Sequence, residues 1–583
     1  MFGRNFYFSL QPLFSSIVYN YIDAILMKNL SAPVIIILLF FANAVNSQSI
    51  NKKKIDSVLT NISKSNMPGL VVGIVQKEKL VYANGAGLAD LTTKRKNTSE
   101  TRFNMCSVSK QFTAACIYLL EEQGKLKTSD HLSTYFKDLP AYADTITIAQ
   151  LIHHQSGIKD FTTLLWLRNM EENGKTTDQQ AYAILSRQSS LNFPAGDQES
   201  YTNSGYFLLS KIVTIVTGQD LSQFANTHLF KPLKMTNTGF SRTHQVQNKA
   251  NGYIFDNKYV KYNPKTSIIG HSNVYSQITD WDKWFNEMKN HKVLGNKVWK
   301  KILTTAVNND GKPINYAGGV RITTYQNQKL ISHGGDLPGY HSYMAYFPEK
   351  DLGIIIMSNN GTFSGYNIFT SIYNNLYPAT KSTLSKQESE KPIEEQSVSE
   401  SKLNVSTLPY AGSYLVEGSQ NMVFDVSSKD SLTVLQKWNQ QGYPILPLND
   451  SLFYIKGQKD ITFEFSQIQD NRSQKMLITQ EGKLTWAKRI NPEKEDINTL
   501  SQYCGNFYNS EIDAHYTILL TNKGELNLKI MGSTQQISAS GNKDYYYLPD
   551  SGMEFNFRRN KSHQIDGLIL NHTRVANLLF LKE

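Results

Sequence analysis

Cysteine is scarce in this chain of 583 residues, occurring only as Cys106, Cys116 and Cys504. Three such cysteines make neither a disulfide framework nor a plausible zinc cluster, so no metal ligand set is expected. Arginine-rich clusters are also missing. The formal charge of +11 is spread through lysine-rich stretches without finger spacing, a GxxxxGK loop or a basic-and-aromatic block, which argues against a nucleic-acid partner. Past the N-terminus no apolar run is long enough to span a bilayer. What the chain has in plenty is length, and 583 residues exceed one ordinary core, so two or three domains are expected.

Residues 1–47 read as a targeting segment. Met27-Lys28-Asn29 opens a short basic region, Pro33 through Phe41 is an apolar core of signal-peptide length, and Ala42-Asn43-Ala44 or Val45-Asn46-Ser47 offers small residues for cleavage. The residues before Met27 read as an upstream extension or as the first hydrophobic element of an anchor, and a retained N-terminal anchor is the competing reading. No cysteine stands near the cleavage region to accept lipid. The expectation is an exported protein, periplasmic or secreted, with no stable membrane span once the segment is removed.

The rest divides by pattern. Residues 48–378 read as an α+β domain: a helix within Ile55–Ile62, a strand pair at Leu70–Val75 and Leu80–Ala83, a mainly helical and loop section to about residue 300, then strands at Gly319–Ile322, Lys329–Ser332, Ser342–Tyr346 and Leu352–Met357. Early and late strands around a helical block suggest one sheet assembled from both ends. Residues 379–405, rich in Ser, Glu, Lys and Gln, read as a linker. Short alternating strands follow, in two similar blocks, 406–490 and 498–583. Tyr410-Ala411-Gly412 matches Tyr503-Cys504-Gly505, and Phe463-Glu464-Phe465 matches Phe555-Asn556-Phe557, which predicts two small antiparallel β modules, each a half or whole barrel. They hold no obvious nucleophile; they are expected either to pack over the cleft and limit substrate size or to bind cell-wall material.

Three separated segments carry chemistry. In Ser107-Val108-Ser109-Lys110 a hydroxyl and an amine stand three positions apart on the way into a helical run that stops near Gly124, the arrangement in which a lysine takes the proton of an attacking serine. Cys106 reads as a small buried neighbour, since no base lies at the right offset from it. In Tyr201-Thr202-Asn203 the outer two residues alternate on a short extended loop and can face one cleft. His333-Gly334-Gly335 follows a strand, its glycines letting a substrate backbone approach the sheet edge. His153 and His154 are adjacent, diverge in direction and lack a third ligand, so they read as a helix-to-turn junction.

These segments, in this order and with Leu151-Ile152-His153-His154-Gln155-Ser156-Gly157 between them, resemble the serine β-lactamase and penicillin-binding-protein superfamily. The branch is the class C-like one that includes D-alanyl-D-alanine carboxypeptidases, D-aminopeptidases and carboxylesterases. The resemblance covers about residues 50–375. It implies an antiparallel sheet flanked by helices, an acyl-serine mechanism and no metal or other cofactor. Ser107 would be the nucleophile, Lys110 its base once burial or a neighbouring cation makes it neutral, and Tyr201 the proton shuttle, helped by Lys110 as its positive neighbour. Asn203 would orient Lys110 or the substrate, and His333 and Gly335 would line the substrate site. The oxyanion would sit on the backbone N–H groups of Ser107 and Asp336. His333 stands where many relatives have lysine; it can carry charge near neutral pH, though less reliably. The implied activity is cleavage of an amide or ester in a D-amino-acid peptide, which includes peptidoglycan fragments, or in a small ester. A penicillin-recognising or cell-wall-binding protein with little turnover, and a β-lactamase, are the alternatives. Oligomeric state is not legible.

Overall fold

The computed structural model describes residues 50–168, 176–262, 264–378 and 408–583, with short gaps at 420–421, 429–431, 438–440, 481–482, 492–495, 531 and 550. The targeting segment 1–47 and the linker 379–405 lie outside the described residues. Residues Asp56–Glu583 form one compact unit.

Six strands make the central sheet: β1 (Leu70–Gln76), β2 (Lys79–Ala86), β3 (Arg321–Tyr325), β4 (Gln328–Leu337), β5 (Tyr340–Phe347) and β6 (Leu352–Ser358), in the order β3-β4-β5-β6-β1-β2. Every neighbouring pair is antiparallel, and β1 meets β6 in the register Leu70↔Ser358 to Gln76↔Leu352. The sheet is thus closed across the chain by its first and last strands. β1 and β6 are buried over nearly their full lengths, which is why both read as continuous apolar runs rather than as alternating ones.

Helix α1 (Lys110–Glu122) is buried from Lys110 through Tyr118, with Phe112 packed among Phe230, Trp281 and Trp284. α2 (Phe161–Leu167) is capped by the Asp160 carboxylate, α3 (Asn203–Thr217) by the Thr202 hydroxyl, and α4 (Gly365–Leu376) covers the sheet through Phe369 and Tyr373. The middle section also holds short strands that periodicity does not reveal, among them the hairpin Tyr253–Asp256 and Lys258–Lys261. Two to five residues are too few for a period to register.

The C-terminal region is mainly β. Eight strands, from Gly412–Val416 to Lys483–Ile490, form a closed barrel. The second block makes a nine-stranded sheet whose two outermost strands, Ser533–Gln536 and Ser538–Ala539, are separated by Ile537 alone, so the sheet curls until its ends meet. The internal repeat is visible in the backbone. Gly412 and Gly505 take φ of +147° and +145°, and at each a Cβ would strike a basic side chain of the same module's last strand: Arg489 Nη1 at 1.9 Å or Lys582 Cε at 2.7 Å. Tyr410 and Tyr503, two residues earlier, are both buried.

Candidate active site

The turn that carries Ser107 is held from both sides. Cys106 takes a left-handed backbone conformation (φ +50°), and its N–H donates to Asn104 Oδ1 at 2.9 Å. Asn104 in turn donates to Asn273 Oδ1 at 2.8 Å. A non-glycine residue held at positive φ directly before the nucleophile candidate is the kind of local strain that rigid surroundings must support. Cys106–Ser109 then forms one turn of 3-10 helix before α1 begins at Lys110. Residues i and i+3 eclipse in that geometry, and the Lys110 Nζ sits 3.2 Å from Ser107 Oγ.

Lys110 is fully buried, and its amine has two further neighbours, Asn203 Oδ1 and the His271 carbonyl oxygen, each at 2.9 Å. Burial pushes its pKa well below the usual lysine value; the Asp160 charge opposes this and Arg574 adds to it. The contacts fit the neutral amine. It has two N–H bonds and one lone pair; Asn203 Oδ1 and His271 O can only accept, so the lone pair is left for the Ser107 hydroxyl proton. That is the arrangement a general base requires.

Asn203 does not lie on an extended loop beside Tyr201 as the sequence suggested. It is the first residue of α3, and Thr202, still extended, is its cap. The Asn203 N–H donates to Asp160 Oδ2 at 2.6 Å. Asp160 is a buried carboxylate that also accepts from Thr163 N and from the Thr162 hydroxyl. Burial raises its pKa, but Arg574 and these donors outweigh that and hold it below the usual aspartate range. Asp160 thereby ties the start of α2 to the start of α3.

Tyr201 is walled by rings, with His154 at 4.3 Å and Tyr316 at 6.0 Å between centroids and Lys110 Nζ 4.7 Å above its face. Burial raises its pKa; the nearby Ser107 hydroxyl, Arg574 and Arg321 pull it back. The cations that lower it are therefore two arginines the sequence did not single out, and the phenol stays protonated. Its hydroxyl is close enough to Ser107 to feel it, yet closes no hydrogen bond among the described residues.

His333 differs from expectation twice. Strand β4 does not stop before it but runs through His333-Gly334-Gly335 to Leu337. The imidazole is buried, and burial, with Lys110 nearby, lowers its pKa to about 3, so it is uncharged at neutral pH. Its Nδ1–H donates to the Gly334 carbonyl, and Nε2 accepts from the Tyr316 hydroxyl at 2.8 Å. Gly335 is required where it stands: a Cβ there would meet Ser342 Oγ at 2.5 Å, Met105 O at 2.6 Å and Cys106 Cβ at 2.9 Å. Its bareness lets β4 lie against the turn that presents Ser107. Beyond Ser332, β4 has outrun β3, so this stretch has no ladder partner on that side. Asp336 lines the same cavity as Ser107, and its carboxylate pairs with His341 Nδ1.

His153 and His154 do sit after a short helix, Ile148–Ile152. His153 Nδ1 donates to the Tyr316 carbonyl at 3.0 Å, while His154, buried and held neutral by burial and by Lys110, backs Tyr201. Among the described residues no cluster of His, Cys, Asp or Glu has the makings of a metal site.

The cavity above Ser107 has a volume of about 970 Å³ and includes Tyr201, Asn203, His333, Asp336 and, from the second β module, Arg574. That module docks directly against the segment around α2. Glu511 accepts from Ser189 N at 3.0 Å and faces Lys159 Nζ at 3.8 Å, Arg168 pairs with Asp513 at 3.0 Å, and Tyr516 donates to the Leu167 carbonyl at 3.0 Å. Sequence patterns offered no sign of Asp160, His271, Tyr316 or Arg574 at the site; an arginine in a turn between two alternating strands carries no local mark of its target.

The solved structure of the octameric penicillin-binding protein homologue from Pyrococcus abyssi has the same fold, with a TM-score of 0.51, 22% identity and coverage of 75% of this chain and 100% of that one. A D-aminopeptidase of Cereibacter sphaeroides is 27% identical over 300 residues, 50% of this chain and 57% of its own length. Protein flp of Staphylococcus aureus is 27% identical over 323 residues, 53% of this chain and 63% of its own. The chain thus spans less than two thirds of these curated relatives. Residues 55–370, more than half of the sequence, match the model of the Beta-lactamase family, and the chain belongs to that family.

Proposed function

We propose that this protein is an exported serine hydrolase that cleaves an amide or ester bond, in a D-amino-acid peptide or a small ester, through an acyl-serine intermediate. The observation that carries the reading is the contact set of Lys110, which leaves its lone pair for the Ser107 proton.

In this reading Lys110 Nζ takes the Ser107 proton as Oγ attacks the substrate carbonyl. The oxyanion is met by the backbone N–H groups of Ser107 and Asp336. When the tetrahedral species collapses, Tyr201 gives its phenolic proton to the leaving nitrogen or oxygen and is reprotonated from Lys110. The raised pKa of Tyr201 suits this role, because a phenol that is protonated at rest is a donor. Water then attacks the acyl-enzyme with the transfers reversed, releasing the acid and restoring Ser107. Membership of the family, the D-aminopeptidase likeness and the sequence reading of the N-terminus support the substrate class and the exported location.

The test is intact-mass analysis of the purified protein after exposure to a fluorophosphonate and, separately, to a penicillin, with Ser107→Ala alongside. A covalent mass gain that is absent from the variant is expected. Decay of the penicillin adduct with time would mark turnover, and its persistence would favour a penicillin-recognising protein. No gain with either reagent would overturn the reading.

A further inference from the structure

We propose that Arg574, supplied by the second β module, binds a free carboxylate on the leaving-group side of the substrate, so that the C-terminal region sets a preference for chains ending in an acid. This rests on the acyl-serine reading above and specifies which substrates that site takes.

Arg574 lies in the turn between strands Ile565–His572 and Val575–Lys582. The turn is fastened to the α+β domain by its backbone. Asp160 N and Asn192 Nδ2 donate to the Arg574 carbonyl at 3.2 and 3.1 Å, and Ala576 N donates to Asn192 Oδ1 at 2.7 Å. The side chain is left for another purpose. Its guanidinium carbon sits 5.2 Å from the centre of the Tyr201 ring, on the wall of the Ser107 cavity, and among the described residues it forms no ion pair or hydrogen bond. Asp160 feels its charge but spends its oxygens on Asn203 N, Thr163 N and the Thr162 hydroxyl.

Charge around the cavity points the same way. Its lining includes Lys261, Lys265, Arg321 and Arg574 against one carboxylate, Asp336, which is largely exposed and paired with His341. Arg321 is neutralised by Glu199 at 2.7 Å, and His333 is uncharged. Among the described residues Arg574 is therefore the guanidinium of this wall with no hydrogen-bonded or ion-paired partner, and a guanidinium fork matches a carboxylate in shape as well as charge. Its position over Tyr201, the proton donor to the leaving group in the proposed mechanism, places that carboxylate on the departing residue.

The experiment compares wild type, Arg574→Gln and Arg574→Lys on an N-acyl-D-alanyl-D-alanine acid and on its C-terminal amide. Steady-state kcat and KM are read and, in parallel, the protection each compound gives against fluorophosphonate labelling, which reports binding even without turnover. Wild type is expected to favour the acid. R574Q should lose roughly ten- to hundredfold of that preference, mainly in KM and in protection. Because Arg574 also lowers the Tyr201 and Lys110 pKa values, a loss of kcat shared by acid and amide is expected, and the acid-to-amide ratio is the readout. R574K should keep part of the preference. Because the docking bonds use the backbone carbonyl, these variants keep the module in place, which the melting temperature checks. An acid-to-amide ratio that is the same in R574Q and wild type, or no preference in wild type, overturns the proposal while leaving Ser107 labelling intact. Absence of labelling in wild type, or its survival in Ser107→Ala, overturns the underlying serine reading and this proposal with it.

Discussion

Lys110 and Asn203, at the starts of two helices far apart in sequence, meet at 2.9 Å between Nζ and Oδ1. With the His271 carbonyl, Asn203 uses up the amine's donors and turns its lone pair toward Ser107. Asn203→Ala removes one acceptor and should slow fluorophosphonate labelling by roughly ten- to hundredfold. Asn203→Asp puts an anion beside the amine, which favours the ammonium; the onset of labelling should move to higher pH. If both variants label like wild type, Asn203 does not orient the base.

The burial that depresses the Lys110 pKa sets the alkaline behaviour. Labelling should rise with pH as the ammonium loses its proton and reach its plateau well before the usual lysine value of 10.5. Lys110→Arg keeps a cation but cannot act as base, and its labelling should fall on the order of 10³-fold or more with no alkaline rise. The same depression has a stability consequence. Between the folded pKa and 10.5 the unfolded chain holds a proton that the native one does not, so native stability rises with pH across that window. Denaturant titrations at two pH values within it check the sign.

His271 and His333 are both buried, and burial lowers each to about 3 from the usual 6.5. As pH falls below 6.5 the unfolded state takes up protons that the native state refuses, so stability should fall by about 1.4 kcal/mol per pH unit for each ring. His333→Asn should remove one ring's share of that slope. Urea unfolding at pH 7 and pH 5 measures it, and equal slopes in the two proteins would contradict the assignment.

Gly335 and Gly334 are neighbours with opposite tolerances. A Cβ at Gly335 strikes Met105 O and Ser342 Oγ, whereas at Gly334 it meets only the Tyr343 ring, at 3.6 Å. Gly335→Ala should cost about 1–3 kcal/mol and displace the Ser107 turn. Gly334→Ala should change stability by no more than about 0.5 kcal/mol. Thermal unfolding of both variants, with labelling of the first, tests the pair.

Much of the architecture was legible because local pattern is set by local physics. The apolar runs of β1 and β6, the Gly124 stop of α1 and the repeated Tyr-x-Gly of the β modules each reflect a requirement within a few residues. The site was legible only where chemistry and spacing coincide. Ser107 and Lys110 are three apart, and a single tight turn suffices to bring them together. The extended-loop reading of Asn203 failed because Thr202 is a helix cap, and a threonine before a mixed Asn-Ser-Gly stretch does not announce one. The prospect of a charged His333 failed because charge depends on solvent access, which no neighbouring residue in the chain reports.

By itself, then, the sequence determined the long strands of the sheet, the helix after Ser107, the family motifs and the candidates for acyl chemistry, since periodicity and side-chain type are properties of short segments. The tertiary structure alone decided their states and companions. It decided that Lys110 is dry, that the His271 carbonyl shares it, that Asp160 locks two helix starts together, and that Arg574 crosses from the last hairpin to Tyr201. Those are matters of desolvation and of distance between remote segments, and both exist only once the chain has folded.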